Sequence, residues 1–108
     1  MKSFTDIPQS KKLAEILPIE SADMNYFEPF VNSTDSPDEI YGEVRVGGGG
    51  GLPAWSLAAL LDILKNPMLL KYDGSWHIYN EDIKCLDFDN SIDACYEMIL
   101  KLHEKGLL

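Results

Sequence analysis

Leu52-Pro53-Ala54-Trp55-Ser56-Leu57-Ala58-Ala59-Leu60-Leu61-Asp62-Ile63-Leu64-Lys65 carries its apolar residues at helical spacing. Leu57, Leu60, Leu61 and Leu64 fall at i, i+3, i+4 and i+7, which gathers them on one face. Ala54, Ala58 and Ala59 keep the flanks small, Trp55 and Ile63 add apolar surface elsewhere, and only Ser56, Asp62 and Lys65 are polar. Pro53 suits a first helical turn and Asn66-Pro67 ends the pattern, so the spacing predicts a helix over 53–65. A helix apolar around most of its circumference is a buried one. This segment is therefore expected at the centre of the fold, against a sheet and at least one other helix.

Toward the C-terminus, Met68-Leu69-Leu70-Lys71-Tyr72 and Ser75-Trp76-His77-Ile78-Tyr79 flank Asp73-Gly74. Asp-Gly between two apolar runs is a strong hairpin signal. Trp76 and Ile78 share one phase of the return strand, His77 and Tyr79 the other. The stretch from Asn80 to Asn90 reads as polar, with Cys85, Leu86 and Phe88 inside it. A last helix is predicted over 91–105, capped by Asn90 or Ser91, with Asp93 in its first turn and a stripe of Ile92, Cys95, Met98, Ile99 and Leu102. Gly106 suits the left-handed position beyond its end, and Leu107 is then placed to fold back on Leu102.

Toward the N-terminus, five glycines from Gly47 to Gly51 form a joint with a high entropic cost of ordering. Ile40 to Val46 alternates as a half-buried strand. Asn32 to Glu39 reads as a loop containing Pro37. The aromatic segment 23–31 suits a strand that Pro29 confines to an edge or ends early. A short first helix is capped by Thr5 or Asp6, carries Pro8 in its first turn and Leu13, Ile16 and Leu17 on one face, and stops at Pro18. The expected fold class is α+β, a small, mainly antiparallel sheet packed against two main helices plus the short N-terminal helix. Residues 1–108 are read as one domain, with 47–51 a glycine loop within it; no internal repeat is evident.

A chain of 108 residues and 12.1 kDa is long enough for an ordinary core. Folding should bury about two-thirds of the surface such a chain exposes when unfolded. Nine basic against eighteen acidic residues give a net charge of −9, spread over both halves. With Arg45 the single arginine, the chain lacks the cations that nucleic-acid binding draws on, and anionic membranes are disfavoured for the same reason. The charge suits a protein partner with a basic surface. The longest apolar run, Leu52 to Leu64, is too short and too punctuated to span a bilayer. The N-terminus lacks the apolar segment of a secretory signal, so Asn32-Ser33-Thr34 reads as a chance sequon, and Cys85 and Cys95 as thiols rather than a disulfide framework.

No motif assigns chemistry. The glycine run precedes a helix start, as phosphate-cradling loops do. A dinucleotide fingerprint begun at Gly47 would however need glycine where Leu52 stands, and an acid near Lys71. Asp87, Asp89, Ser91 and Asp93 are spaced like a calcium loop, but Ile92 and Met98 occupy the positions of its glycine and its glutamate. His77 and His103 lie in no zinc pattern; with Cys85 or Cys95 they would make a thiol–imidazole pair only if the fold brought them together. Cys95, on an apolar stripe, reads as a core residue. Trp55, Trp76, Tyr72, Tyr79 and Tyr96 are either core or the anchors of a binding surface. No catalytic residue, binding residue, metal ligand or cofactor is assigned.

Met1 to Met24, Leu52 to Leu61, Trp76 with Tyr79-Asn80, and Asp89 to Leu108 together resemble a group of small uncharacterised proteins. These are frequent in gut Bacteroidetes and in their phages and mobile elements. The likeness is most specific from Ile92-Asp93-Ala94-Cys95 through Leu100-Lys101-Leu102-His103-Glu104. The group often has proline and valine at Ser91 and Ile92, and a polar loop in place of the glycine run. The resemblance implies a cytoplasmic bacterial or phage protein and transfers no catalytic residue. The functional expectation is a small, acidic, non-enzymatic protein-interaction module. One alternative is a ligand-binding protein or enzyme with a site near the 68–80 hairpin and Gly47–Gly51. Another is an acidic mimic of nucleic acid carried by Glu81, Asp82, Asp87, Asp89 and Asp93.

Overall fold

The computed structural model describes residues 2–26, 44–46, 51–64, 67–80 and 83–108. Helix α1 spans Ile7–Ile16, and a short 3-10 turn follows at Ile19–Ser21. Strands β1 (Met24–Tyr26), β2 (Val44–Val46) and β3 (Leu52–Ala54) precede helix α2 (Leu57–Ile63). Strands β4 (Met68–Tyr72), β5 (Ser75–Asn80) and β6 (Ile83–Phe88) lead into helix α3 (Ser91–Glu104). The class is α+β, with three helices and two three-stranded antiparallel sheets, ordered β2-β1-β3 and β4-β5-β6, where the sequence suggested one.

Three boundaries differ from the sequence reading, each through tertiary pairing. The central helix begins at Leu57, not near Pro53, because Leu52–Ala54 pairs with β1 in the register Met24↔Ala54 and Tyr26↔Leu52. Proline is tolerated in both settings, a first helical turn and an edge strand, so Pro53 alone did not discriminate. Ser56 supplies the real cap; its hydroxyl accepts the Ala59 N–H (3.3 Å) and itself donates to Asp23. The second difference is β1, which is the central strand of its sheet, so of the two readings, an edge strand or one that ends early, the edge is excluded; Pro29 lies outside the described residues. The third is β6, a strand inside the stretch read as polar, recruited by β5 through Trp76↔Phe88, His77↔Asp87 and Ile78↔Leu86. The loop at 32–39, the strand residues 40–43 and glycines 47–50 lie outside the described residues.

The remaining elements follow their local signals. Asp6 caps α1 in a reciprocal box, accepting the Gln9 N–H (2.9 Å) while its own N–H donates to Gln9 Oε1 (3.1 Å). Asp73 (φ 51°) and Gly74 (φ 80°) both sit in the left-handed region, the type I′ geometry of a two-residue hairpin. At the end of α3 the Gly106 N–H reaches His103 O and the Leu107 N–H reaches Leu102 O, the paired bonds of a Schellman motif with Gly106 at φ 70°.

One contiguous core joins the parts. Leu13 of α1, Trp55, Leu60 and Leu64, Ile78 of β5, and Ile92, Cys95, Met98, Ile99 and Leu102 of α3 are all buried in it. The α3 stripe read from the sequence is the stripe buried. Helix α2 is less enclosed than its composition suggested, with Leu57 and Leu61 only half-buried and Ala58 exposed. At seven residues it turns only twice, so it presents one face inward and cannot serve as the hub. That place falls to α3 and to Trp55, which lies between β3 and α2.

Candidate docking face on the second sheet

Alternation along a strand sends successive side chains to opposite faces of a sheet. On β4 and β5 the inward set is Leu69, Trp76 and Ile78, of which Ile78 is fully buried and Leu69 packs on the core. The outward set is Met68, Leu70 and Tyr72, opposite Tyr79, His77 and Ser75. These outward residues stay wet although mostly apolar: Met68 is 59% exposed, Leu70 37%, Tyr72 70% and Tyr79 39%. Isolated apolar side chains on a surface need no explanation, but four on one face of one hairpin form a patch.

His77 and Asp87 sit on the same face, facing each other across β5 and β6. His77 Nδ1 lies 2.6 Å from Asp87 Oδ1, and His77 Nε2 lies 3.3 Å from the Tyr72 carbonyl oxygen. The imidazole is thus oriented from both sides. The Tyr72 ring tilts toward it, 6.2 Å between centroids. On the inward side, Lys71 Nζ rests 5.9 Å from the centre of the Trp76 ring, a cation–π distance.

A second polar centre lies where the N-termini of α1 and α3 meet. Lys2 Nζ donates to Asp6 Oδ2 (2.9 Å) and Asp93 Oδ1 (2.8 Å). Asp93 also accepts from Gln9 Nε2 (2.7 Å) and from Asn90 Nδ2 (2.8 Å). Asn90 Oδ1 in turn accepts the Asp93 N–H (2.8 Å), capping α3. Burial alone pushes the Asp93 carboxyl up, but the hydrogen bonds from Lys2, Gln9 and Asn90 and the Lys2 charge outweigh it and hold it below the usual range. Burial likewise works against the Lys2 ammonium, and its two carboxylate partners reverse that and raise it. One lysine and two helix N-termini of about half a charge each balance two carboxylates, which marks a structural clamp.

Asp93 is committed to this clamp and Asp87 to His77, while Asp89 is exposed and Ser91 buried at the start of α3. Among the described residues no three acidic, histidine or cysteine side chains converge as metal ligands would. Cys95 is fully buried, and burial pushes its thiol up to about 12, so it is inert core. His103 is exposed on the last turn of α3. Trp55 is core, and Trp76 and Tyr96 are half-buried; only Tyr72 and Tyr79 of the five aromatics face water.

Two features of the face escaped the sequence reading. In Met68-Leu69-Leu70 both phases are apolar, so which one faced out was undetermined. Asp87 was not connected to His77 because β6 was not recognised. Comparisons with protein-family models, with curated proteins and with solved structures found no match.

Proposed function

We propose that this chain is a small, acidic, non-enzymatic interaction module that binds another protein through the outward face of its second sheet. The observation carrying the reading is the cluster Met68, Leu70, Tyr72 and Tyr79, exposed together on a sheet whose other side is committed to the core. Aromatic and methionine side chains are those that anchor protein interfaces. The net charge of −9 adds long-range attraction for a basic partner and disfavours nucleic acid. The resemblance noted above supports the cytoplasm of a bacterium or of a phage-infected cell. Among the described residues no helix is long and apolar enough to cross a membrane.

The test is capture from host lysate with the full chain as bait, beside a Met68→Asp/Tyr72→Asp double variant. A partner retained at low salt, released as salt screens the attraction, and lost with the double variant is the expected outcome. No partner at low salt, or equal capture by the double variant, rejects the reading. The oriented His77–Asp87 pair on the same face favours the second reading, a small-ligand site beside the hairpin. A thermal-shift screen with nucleotides, sugars and divalent metals separates the two, because a ligand of the native state raises the melting point.

A further inference from the structure

Among the described residues the second sheet has an open side as well as an apolar face. Its order is β4-β5-β6, so β4 is an edge, and among the described residues no strand lies beyond it. The two-residue turn makes Tyr72 and Ser75 a hydrogen-bonded pair. Alternation then makes Leu70–His77 and Met68–Tyr79 the next such pairs. The backbone N–H and C=O groups of Leu69 and Lys71 are consequently directed away from β5, into the open side. Proteins normally blunt an edge of this kind with proline, inward charges or a covering element. Here Pro67 precedes the strand, and the single charge on it, Lys71, is drawn over the Trp76 ring.

We propose that this edge of β4 receives an extended, positively charged segment of a partner protein as a fourth antiparallel strand. The proposal rests on the interaction-module reading and adds how the partner is held and what it is made of. Backbone bonds to Leu69 and Lys71 supply register, and apolar residues of the segment continue the row Met68, Leu70 and Tyr72 on the outward face. Basic residues flanking the segment meet the exposed Asp73 at the hairpin tip and the acidic body of the chain.

Charge selects this occupant over a second copy. Two copies paired antiparallel about Leu70 would bring −9 against −9 and set Lys71 diagonal to the Lys71 of its twin, about 7–8 Å apart. A segment that carries its positive charges outside the paired stretch meets neither penalty.

The probe is a synthetic peptide of alternating valine and threonine with two lysines at each end. It is titrated at low salt into the nitrogen-15-labelled full chain and followed by amide NMR. Two control peptides carry glutamates at the ends, or N-methyl groups at alternate backbone nitrogens. The expected result is a saturable shift concentrated on the Leu69 and Lys71 amides, with at least about tenfold weaker binding of both controls. Absence of saturation, shifts centred on another surface, or equal affinity for the three peptides overturns the proposal. Lys71→Pro removes one outward N–H and no bond to β5, so it should abolish peptide binding while leaving the melting temperature near that of the parent. Should that variant fail to fold, the N-methylated peptide carries the same question on the unaltered chain. A lysate partner captured equally by parent and folded Lys71→Pro overturns strand addition and leaves the interaction module standing; loss of every partner from the parent removes both.

Discussion

Asp93 is the residue in which local and tertiary demands coincide. As the third residue of α3 it sits in the first turn, where the helix dipole favours an acid, and Asn90 caps beside it. The acid in the first turn was legible in the order Asn90-Ser91-Ile92-Asp93, which left the cap between Asn90 and Ser91. That Lys2 and Gln9, from the far end of the chain, donate to the same carboxylate was not. Because the folded-state carboxyl is held below its ordinary value of 3.8, its contribution to stability is complete above that value and is lost as pH falls through the lower folded one. Asp93→Asn should therefore be less stable than the parent near neutrality, and the gap in urea midpoint should narrow between about pH 5 and about pH 2. A gap independent of pH over that span would show that the ionised carboxylate is not what stabilises the clamp. The raised Lys2 ammonium acts in the opposite window, contributing below its ordinary value of 10.5 and fading as pH rises above it.

Among the elements, α2 is the one most dependent on its ends. Isolated helices of its length do not persist in water, so seven residues need capping and packing to stay helical. Ser56 carries much of that load, since its hydroxyl serves the Ala59 N–H and Asp23 together. Ser56→Ala should cost about 1 kcal/mol, with about 2 as the upper end for a cap of this kind, measured by urea unfolding. A cost indistinguishable from zero would mean that the Ser56 N–H bond to Asp23 (2.9 Å) alone fixes the helix start. The leucine spacing at 57, 60, 61 and 64 was a true helical signal, yet it did not reveal that the helix excludes Pro53 to Trp55. A strand start and a helix start share the same proline and the same small residues, and only pairing with β1 separates them.

For the whole molecule, Trp55 is the joint. Its backbone N–H donates to Thr5 Oγ1 (3.1 Å), its carbonyl accepts the Thr5 N–H (3.0 Å), and its indole N–H donates to Ser21 Oγ (3.0 Å). Thr5 Oγ1 lies 2.8 Å from Ser10 Oγ, and Thr5 O accepts the Tyr26 hydroxyl at 2.8 Å, so the N-terminal segment, α1 and the first sheet meet there. The side chain has no exposed surface and belongs to the same core as α3. Trp55→Ala should cost about 3–5 kcal/mol. Against the roughly 5–15 kcal/mol typical of a small domain, that leaves the protein marginal. Circular dichroism during urea unfolding measures it, and a loss below about 1 kcal/mol would contradict Trp55 as the joint.

What the residues determined alone was local. The α1 cap at Asp6, the Asp73-Gly74 turn, the α3 stripe and the Gly106 termination each rest on groups within a few positions of one another, whose geometry the chain imposes before any long-range contact forms. Charge belongs to the same class, because it is a sum over residues. Partition into two sheets, recruitment of β6, and the choice of which phase of Met68-Leu69-Leu70 meets water were decided by the tertiary structure. In those segments both faces offer comparable apolar surface or too little of it, so local preference nearly cancels. Burial of Ile78 and packing of Leu69 on the core then decide the register, and leave Met68, Leu70 and Tyr72 facing out.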